Sequence, residues 1–178
     1  TVIGARGREG KTTVMLAVAT ALCIERSLVG LWPMTGRSVV IYSAEDDRKQ
    51  YARKVAAQRA VLPHGQGSQV MDRLIVPDLD APGMEPLKRL VTVMDRQPMP
   101  TGTDTAIVEA IAPLMHGPHP PALLIFETLA CLTDTEEDNR AFSVLTECLK
   151  RIARALQVAV AIVHHVSQAS DSTLPDLS

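Results

Sequence analysis

Residues 1 to 23 read Thr1-Val2-Ile3-Gly4-Ala5-Arg6-Gly7-Arg8-Glu9-Gly10-Lys11-Thr12-Thr13-Val14-Met15-Leu16-Ala17-Val18-Ala19-Thr20-Ala21-Leu22-Cys23, and the fold turns on how this stretch is read. The opening Thr1-Val2-Ile3 has strand character. Ala5 to Thr12 then follows a spacing of one small residue, four variable ones, Gly, Lys and Ser or Thr. Residues 12–23 are apolar nearly all round (Val14, Met15, Leu16, Val18, Leu22), which predicts a buried helix. A strand, a glycine-rich turn and a helix in that order form a cradle for phosphate. Gly7 and Gly10 permit a backbone in which successive N–H groups turn toward phosphate oxygens, and the helix start adds its dipole. The cradle is expected to run over Ala5, Gly7, Arg8, Glu9 and Gly10, with Thr13 at the helix start. Lys11 would neutralise β- and γ-phosphate charge, and the Thr12 hydroxyl is placed to ligate Mg²⁺.

Beyond this stretch, apolar runs alternate with helical patterns. Val39-Val40-Ile41-Tyr42, Leu123-Leu124-Ile125-Phe126 and 158–163 predict strands buried on both faces. Residues 47–61 form a more polar helical pattern, expected to face solvent. Within 139–156, Phe142, Leu145, Leu149, Ile152 and Leu156 recur at steps of three and four, the pattern of an amphipathic helix covering one sheet face. Asp138 or Asn139 would cap it. Between 63 and 121, Pro, Gly and His interrupt candidate strands at 74–76 and 90–94 and a helix at 104–115. Strands alternating with helices imply parallel pairing through crossovers, hence an α/β fold with a mostly parallel sheet and helices on both faces. A single domain is expected over 1–178. Truncation at both ends is expected too, because the chain opens inside a strand and closes in a loop-like tail.

Composition narrows the function classes. With 178 residues, 46% hydrophobic and 21% charged, the chain can build one sizeable core. A net charge of -2 and a pI near 6.2 exclude a global basic field for nucleic acid or anionic membrane, so any DNA contact must be local. No stretch reaches the roughly 18 apolar residues of a membrane span, and no basic start precedes an apolar signal core, so a cytoplasmic protein is expected. Cys23, Cys131 and Cys148 are odd in number, widely spaced and set among apolar neighbours, which predicts reduced core thiols.

Three stations follow the apolar strands. Ser43-Ala44-Glu45-Asp46-Asp47 puts carboxylates just beyond a strand's carboxyl end, the edge where open parallel sheets bind ligands. Glu45 is the candidate general base for the water that attacks a γ-phosphate, and Asp46 a candidate partner in the metal's outer shell. A solvated acidic cap for the next helix also accounts well for Asp46 and Asp47, and is the plainer alternative for Glu45. Leu123 to Phe126 ends in Glu127, an acid placed to hold the Mg²⁺ shell. Glu carries one more methylene than Asp, roughly 1.3 to 1.5 Å of reach, enough to alter water-mediated metal geometry. On sequence alone, Glu127→Asp is expected to maintain or raise activity. His164-His165 ends the last apolar run; side-chain alternation sends the two to opposite faces, so that one could meet the γ-phosphate. Their plainer reading is as polar strand termini. His116 and His119 lie in a Pro/Gly loop and read as solvated rather than as a metal pair.

With these stations in place the chain resembles the RepA-like branch of the RecA superfamily, AAA-family P-loop ATPases that include homohexameric replicative DNA helicases. The resemblance rests on Ala5 to Thr12, on Ser43-Ala44-Glu45-Asp46, on Ile125-Phe126-Glu127-Thr128-Leu129-Ala130, on Glu136-Glu137-Asp138-Asn139 and on His164-His165. It implies a RecA-like domain that binds and hydrolyses ATP with Mg²⁺. Glu45 would be the catalytic glutamate, Lys11 and Thr12 the phosphate and metal groups, and Glu127 the metal-side acid. His165 would be the γ-phosphate sensor, with His164 beside it at the nucleotide. The resemblance also implies a homohexamer acting on single-stranded DNA. Three departures stand out: Ala5 replaces the first Gly, Glu127 replaces Asp, and Gln168 stands where relatives often carry Lys. The arginine that a neighbouring subunit supplies would lie beyond residue 178, and 167–178 would begin a DNA-contacting loop.

Three readings stay open at this point. One is a motor that couples ATP hydrolysis to movement on single-stranded DNA. Another is a non-motor recombination accessory switched by nucleotide. The third is a nucleotide-dependent DNA-binding or regulatory protein with little turnover, favoured by Glu127 and the weak charge signal. DNA-stimulated ATP turnover separates the first from the others.

Overall fold

The computed structural model describes residues 2–5, 10–26, 36–43, 48–84, 87, 89–127, 132–133 and 139–165. Five strands, all parallel, form the central sheet in the order β1-β7-β6-β2-β3: β1 Val2–Ala5, β2 Ser38–Ser43, β3 Leu74–Ile75, β6 Pro121–Glu127 and β7 Ala159–His165. Among the described residues five α-helices accompany it: α1 Lys11–Cys23, α2 Arg48–Ala60, α3 Gln66–Arg73, α4 Thr103–Ile111 and α5 Asn139–Leu156.

The uninterrupted apolar runs are explained by helices on both faces. Val39, Ile41, Leu123, Ile125, Ala161 and Val163 alternate onto one face, where they pack with Met15, Leu16 and Ala19 of α1, Tyr51 and Val55 of α2, and Val70 of α3. Val40, Tyr42, Leu124, Phe126 and Ile162 take the other face, against Ile107 and Ile111 of α4 and Leu145, Leu149 and Ile152 of α5. Tyr42 and Phe126 are register partners, and their rings stack with centroids 5.1 Å apart. Two expectations are corrected by this packing. Helix α1 is not buried all round, since Val14 is 53% exposed. Nor does α2 face solvent throughout: Tyr51 and Val55, one turn apart, bury its inner stripe. The cap expected at Asp138 or Asn139 falls outside the described residues and side chains.

Between 63 and 121 the chain departs further from expectation. The two candidate strands both form, but in different sheets: β3 is the edge of the main sheet, whereas β4 (Val91–Met94) pairs with β5 (Gln97–Pro100) in an antiparallel hairpin. The hairpin turns on Asp95 and Arg96, both at positive φ (50° and 62°), which is a two-residue type I′ loop. In such a loop Met94 and Gln97 are a hydrogen-bonded pair, so Val93–Pro98 and Val91–Pro100 fall at non-bonded positions. The two prolines therefore remove no ladder bond, and they leave the outer edge of β5 without donors at 98 and 100, which discourages further strand addition. Helix α3 is the other unexpected element; among its residues Val70 is buried. The helix expected over 104–115 ends at Ile111 and tightens into a 3-10 turn, Ala112–His116, because Pro113 cannot donate back to residue 109.

Two features tie α5 in place. Arg151 Nε donates to Asp104 Oδ2 of α4 at 2.6 Å. At its C-terminus, Gln157 adopts φ 54° and the Val158 N–H reaches back to the Ala153 carbonyl at 3.2 Å. That is a Schellman turn with Gln in the glycine position, and it feeds the chain directly into β7.

Cys23 and Cys148 are buried free thiols, and Cys131 lies outside the described residues. Burial pushes the Cys23 thiol from its ordinary 9.0 up to about 12, against a smaller lowering by Arg73, whose Nη1 donates to the Cys23 carbonyl at 2.7 Å. Burial raises Tyr42 from 10.0 to about 12 as well. Both folded-state values lie above the unfolded ones, so the native chain holds these protons more tightly. Their contribution to stability is intact below pH 9 and is lost as pH rises from 9 toward 12. At pH 8 a thiol titrating at about 12 is ionised to roughly one part in ten thousand. Iodoacetamide at pH 8 is therefore expected to leave Cys23 unmodified in the native protein and to label it after denaturation, as read by peptide mass mapping. Native-state labelling at the denatured rate would contradict the packing around α1.

Candidate functional site

Parallel pairing brings the carboxyl ends of β1, β2, β6 and β7 to one edge. Ser43, Glu127 and Val163 lie in one row across β2, β6 and β7, and β1 joins through the pairs Gly4–His164 and Ala5–His165. The strand of the glycine-rich turn and the strand of the buried acid are thus not neighbours, because β7 lies between them.

Above this edge, α1 opens without a side-chain cap. Gly10 is its N-cap residue at φ 75°, ψ 16°, a left-handed conformation in which a β-carbon would be strained although no atom lies near enough to clash with it. The first intrahelical bond runs from Val14 N–H to the Gly10 carbonyl at 2.9 Å. The N–H groups of the first turn precede that bond, at the positive end of the helix dipole, which gives this terminus its capacity for an anion. Lys11 is 5% exposed; Thr12 is half-buried and Thr13 exposed.

Glu127, at the end of β6, is 2% exposed. Alternation along β6 puts it on the face of Leu123 and Ile125, beneath α1 and α2, and there each of its oxygens accepts a hydrogen bond from a hydroxyl. Thr12 Oγ1 donates to Oε1 and Tyr51 Oη donates to Oε2, the latter at 2.8 Å. Ser43, the register partner of Glu127, is buried beside it. Thr12 and Glu127 form a pair of oxygen donors, the chemistry that a hard divalent cation requires, and the buried Lys11 directly precedes Thr12 in the chain.

Of the other residues singled out from sequence, Ala5 ends β1, and His164 and His165 end β7 as the partners of Gly4 and Ala5. Gly7, Arg8, Glu9, Glu45 and Asp46 lie outside the described residues, as do the side chains of both histidines. His116 and His119 precede Pro121, the first residue of β6, at the opposite edge of the sheet and roughly 20 Å of strand from Glu127. Tyr51 was not anticipated. Its signal is present in Arg48-Lys49-Gln50-Tyr51-Ala52-Arg53-Lys54-Val55, where one aromatic and one β-branched residue four apart interrupt an otherwise polar helix.

The family model described as "AAA domain" matches residues 1–171, nearly the whole chain. No match is found among the curated proteins.

Proposed function

We propose, from the premise that this chain belongs to the AAA domain family of P-loop ATPases, that it binds ATP with Mg²⁺ at the carboxyl edge of the sheet and hydrolyses it there. The observation that carries this reading is the hydrogen bond from the Thr12 hydroxyl to the Glu127 carboxylate, beside the buried Lys11. That bond joins the helix following the glycine-rich turn to the acid ending β6, so a phosphate-bound cation would meet both. Among the described residues the donor set, a hydroxyl and a carboxylate, fits Mg²⁺. Bound there, Mg²⁺ would neutralise charge between the β- and γ-phosphate oxygens.

The chain's own residues divide the work. Lys11 and the N–H groups at the start of α1, with Ala5, Gly7, Arg8, Glu9, Gly10 and Thr13 of the cradle, bind and orient the phosphates. Glu45 orients and deprotonates the attacking water, with Asp46 in the outer metal shell. His165 hydrogen-bonds the γ-phosphate and registers its loss, with His164 beside it.

The larger assignment, the motor of a RepA-like homohexamer on single-stranded DNA, draws its support from the motif resemblance. Among the described residues no helix is long and apolar enough to cross a membrane. Steady-state ATP hydrolysis by the intact protein, with Mg²⁺ and with or without single-stranded DNA, tests both levels. Turnover above a Lys11→Ala blank is the expected result, raised several-fold by DNA if the protein is a motor. Turnover no greater than the blank would replace the enzyme with a nucleotide-gated binding module.

A further inference from the structure

We propose that Tyr51 is a positioning residue for Glu127, and that Tyr at 51 and Glu at 127 are a matched pair that sets the Mg²⁺ affinity of the site. This rests on the nucleotide-binding reading above and adds a residue to it. The Tyr51 ring belongs to the core between α1, α2 and α3, with Met15, Leu16, Val55 and Val70, and is 1% exposed. Phe would fill that space equally well. What the hydroxyl adds is a direction: it donates to Glu127 Oε2 at 2.8 Å while Thr12 donates to Oε1. An ionised carboxylate offers about four acceptor positions, so one hydroxyl on each oxygen fixes its plane and still leaves a lone pair on each for a metal-bound water.

Length matters to the pairing. An Asp at 127 would end about 1.3 Å short, and a 2.8 Å bond extended by that much exceeds the roughly 3.2 Å limit of a good hydrogen bond. Without movement of the backbone, the shorter acid cannot meet both Thr12 and Tyr51. The expectation from sequence alone, that Asp at 127 maintains or raises activity, is therefore reversed. The same bond ties α2, which starts at Arg48, to the metal-side acid.

The test is a Mg²⁺ titration of fluorescent ATP-analogue binding for the wild type, Tyr51→Phe, Glu127→Asp and the double variant, with thermal unfolding of each in the absence of nucleotide. Loss of an outer-shell partner typically costs about 10–100-fold in metal affinity. Tyr51→Phe is expected to raise the half-saturating Mg²⁺ concentration by about tenfold while leaving Mg²⁺-free nucleotide binding unchanged. Glu127→Asp is expected to raise the half-saturating Mg²⁺ concentration by a similar factor alone and to add little in the double variant, because both changes break one contact. A purely structural Tyr51 would shift the melting temperature and leave the Mg²⁺ requirement where it was, and that result overturns the proposal. Should Tyr51→Phe fail to fold, Glu127→Asp decides alone, and an unchanged or tighter Mg²⁺ requirement overturns the pairing. Absence of nucleotide binding by the wild type would instead remove the reading on which the proposal rests.

Discussion

Lys11→Ala is expected to weaken ATP binding by roughly 30- to 4000-fold, equivalent to about 2–5 kcal/mol, the usual cost of truncating one partner of a buried, hydrogen-bonded charge pair. The magnitude follows from where the lysine sits. At 5% exposure its ammonium lies in a medium that screens a phosphate charge far less than water does. It also stands at the first position of α1, directly after the left-handed Gly10, so its charge and the helix dipole act on the same anion. Removing it leaves the triphosphate facing dipolar N–H groups alone. Ala and Lys have similar helix propensities, so α1 itself should survive, and a melting temperature close to that of the wild type would separate lost binding from lost fold. Titration of a fluorescent ATP analogue with Mg²⁺ gives the reading. A variant that binds within threefold of the wild type would mean that the turn at 5–12 does not hold the phosphates.

Local pattern was enough wherever an element's environment is simple. Strands β2 and β6 are buried on both faces, and a run such as Val39-Val40-Ile41-Tyr42 has almost no other way to fold; α5 has one wet face and one dry, and its apolar steps of three and four give the same limits in sequence and structure. Pattern failed where a distant partner decides. Pro98 and Pro100 argue against a strand until the I′ turn at Asp95 and Arg96 sets the register that makes both harmless. The insertion of β7, the last described strand, between β1 and β6 follows from packing across the sheet and has no local signal. The same division holds at the candidate site. Lys11, Thr12 and Glu127 are legible because each sits at a fixed offset from a glycine-rich turn or a strand end. Tyr51 is not, because its hydroxyl finds Glu127 from 76 residues away. The proposed consequence of Glu rather than Asp at 127 has the same origin: sequence sets the extra methylene against a metal, and the second hydroxyl that it meets enters only through the fold.

Glu45→Gln is expected to lower ATP turnover by about 10²- to 10⁴-fold, the range that general-base catalysis supplies, while nucleotide affinity stays within about twofold. The choice of Glu45 over Glu127 as the base comes from the contacts of Glu127. Both oxygens of that carboxylate accept protein hydroxyls, which suits an acid holding a metal shell in place and not one that must approach a water and take its proton. On the proposed function the base comes from another strand end on the same edge. Ser43 ends β2 in register with Glu127, and Glu45 follows by two residues, at most about 7 Å along an extended chain. The glutamine is nearly isosteric and can still hold a water, but it cannot accept the proton, so the loss should fall on turnover and spare affinity. Asp46→Asn is the companion measurement: an outer-shell role predicts a raised Mg²⁺ requirement with turnover largely restored at high Mg²⁺. Normal turnover in Glu45→Gln together with collapse in Asp46→Asn would move the base one residue along the chain. Loss of nucleotide binding in Glu45→Gln would instead make Glu45 part of the nucleotide's anchorage, and the attacking water would need a different partner.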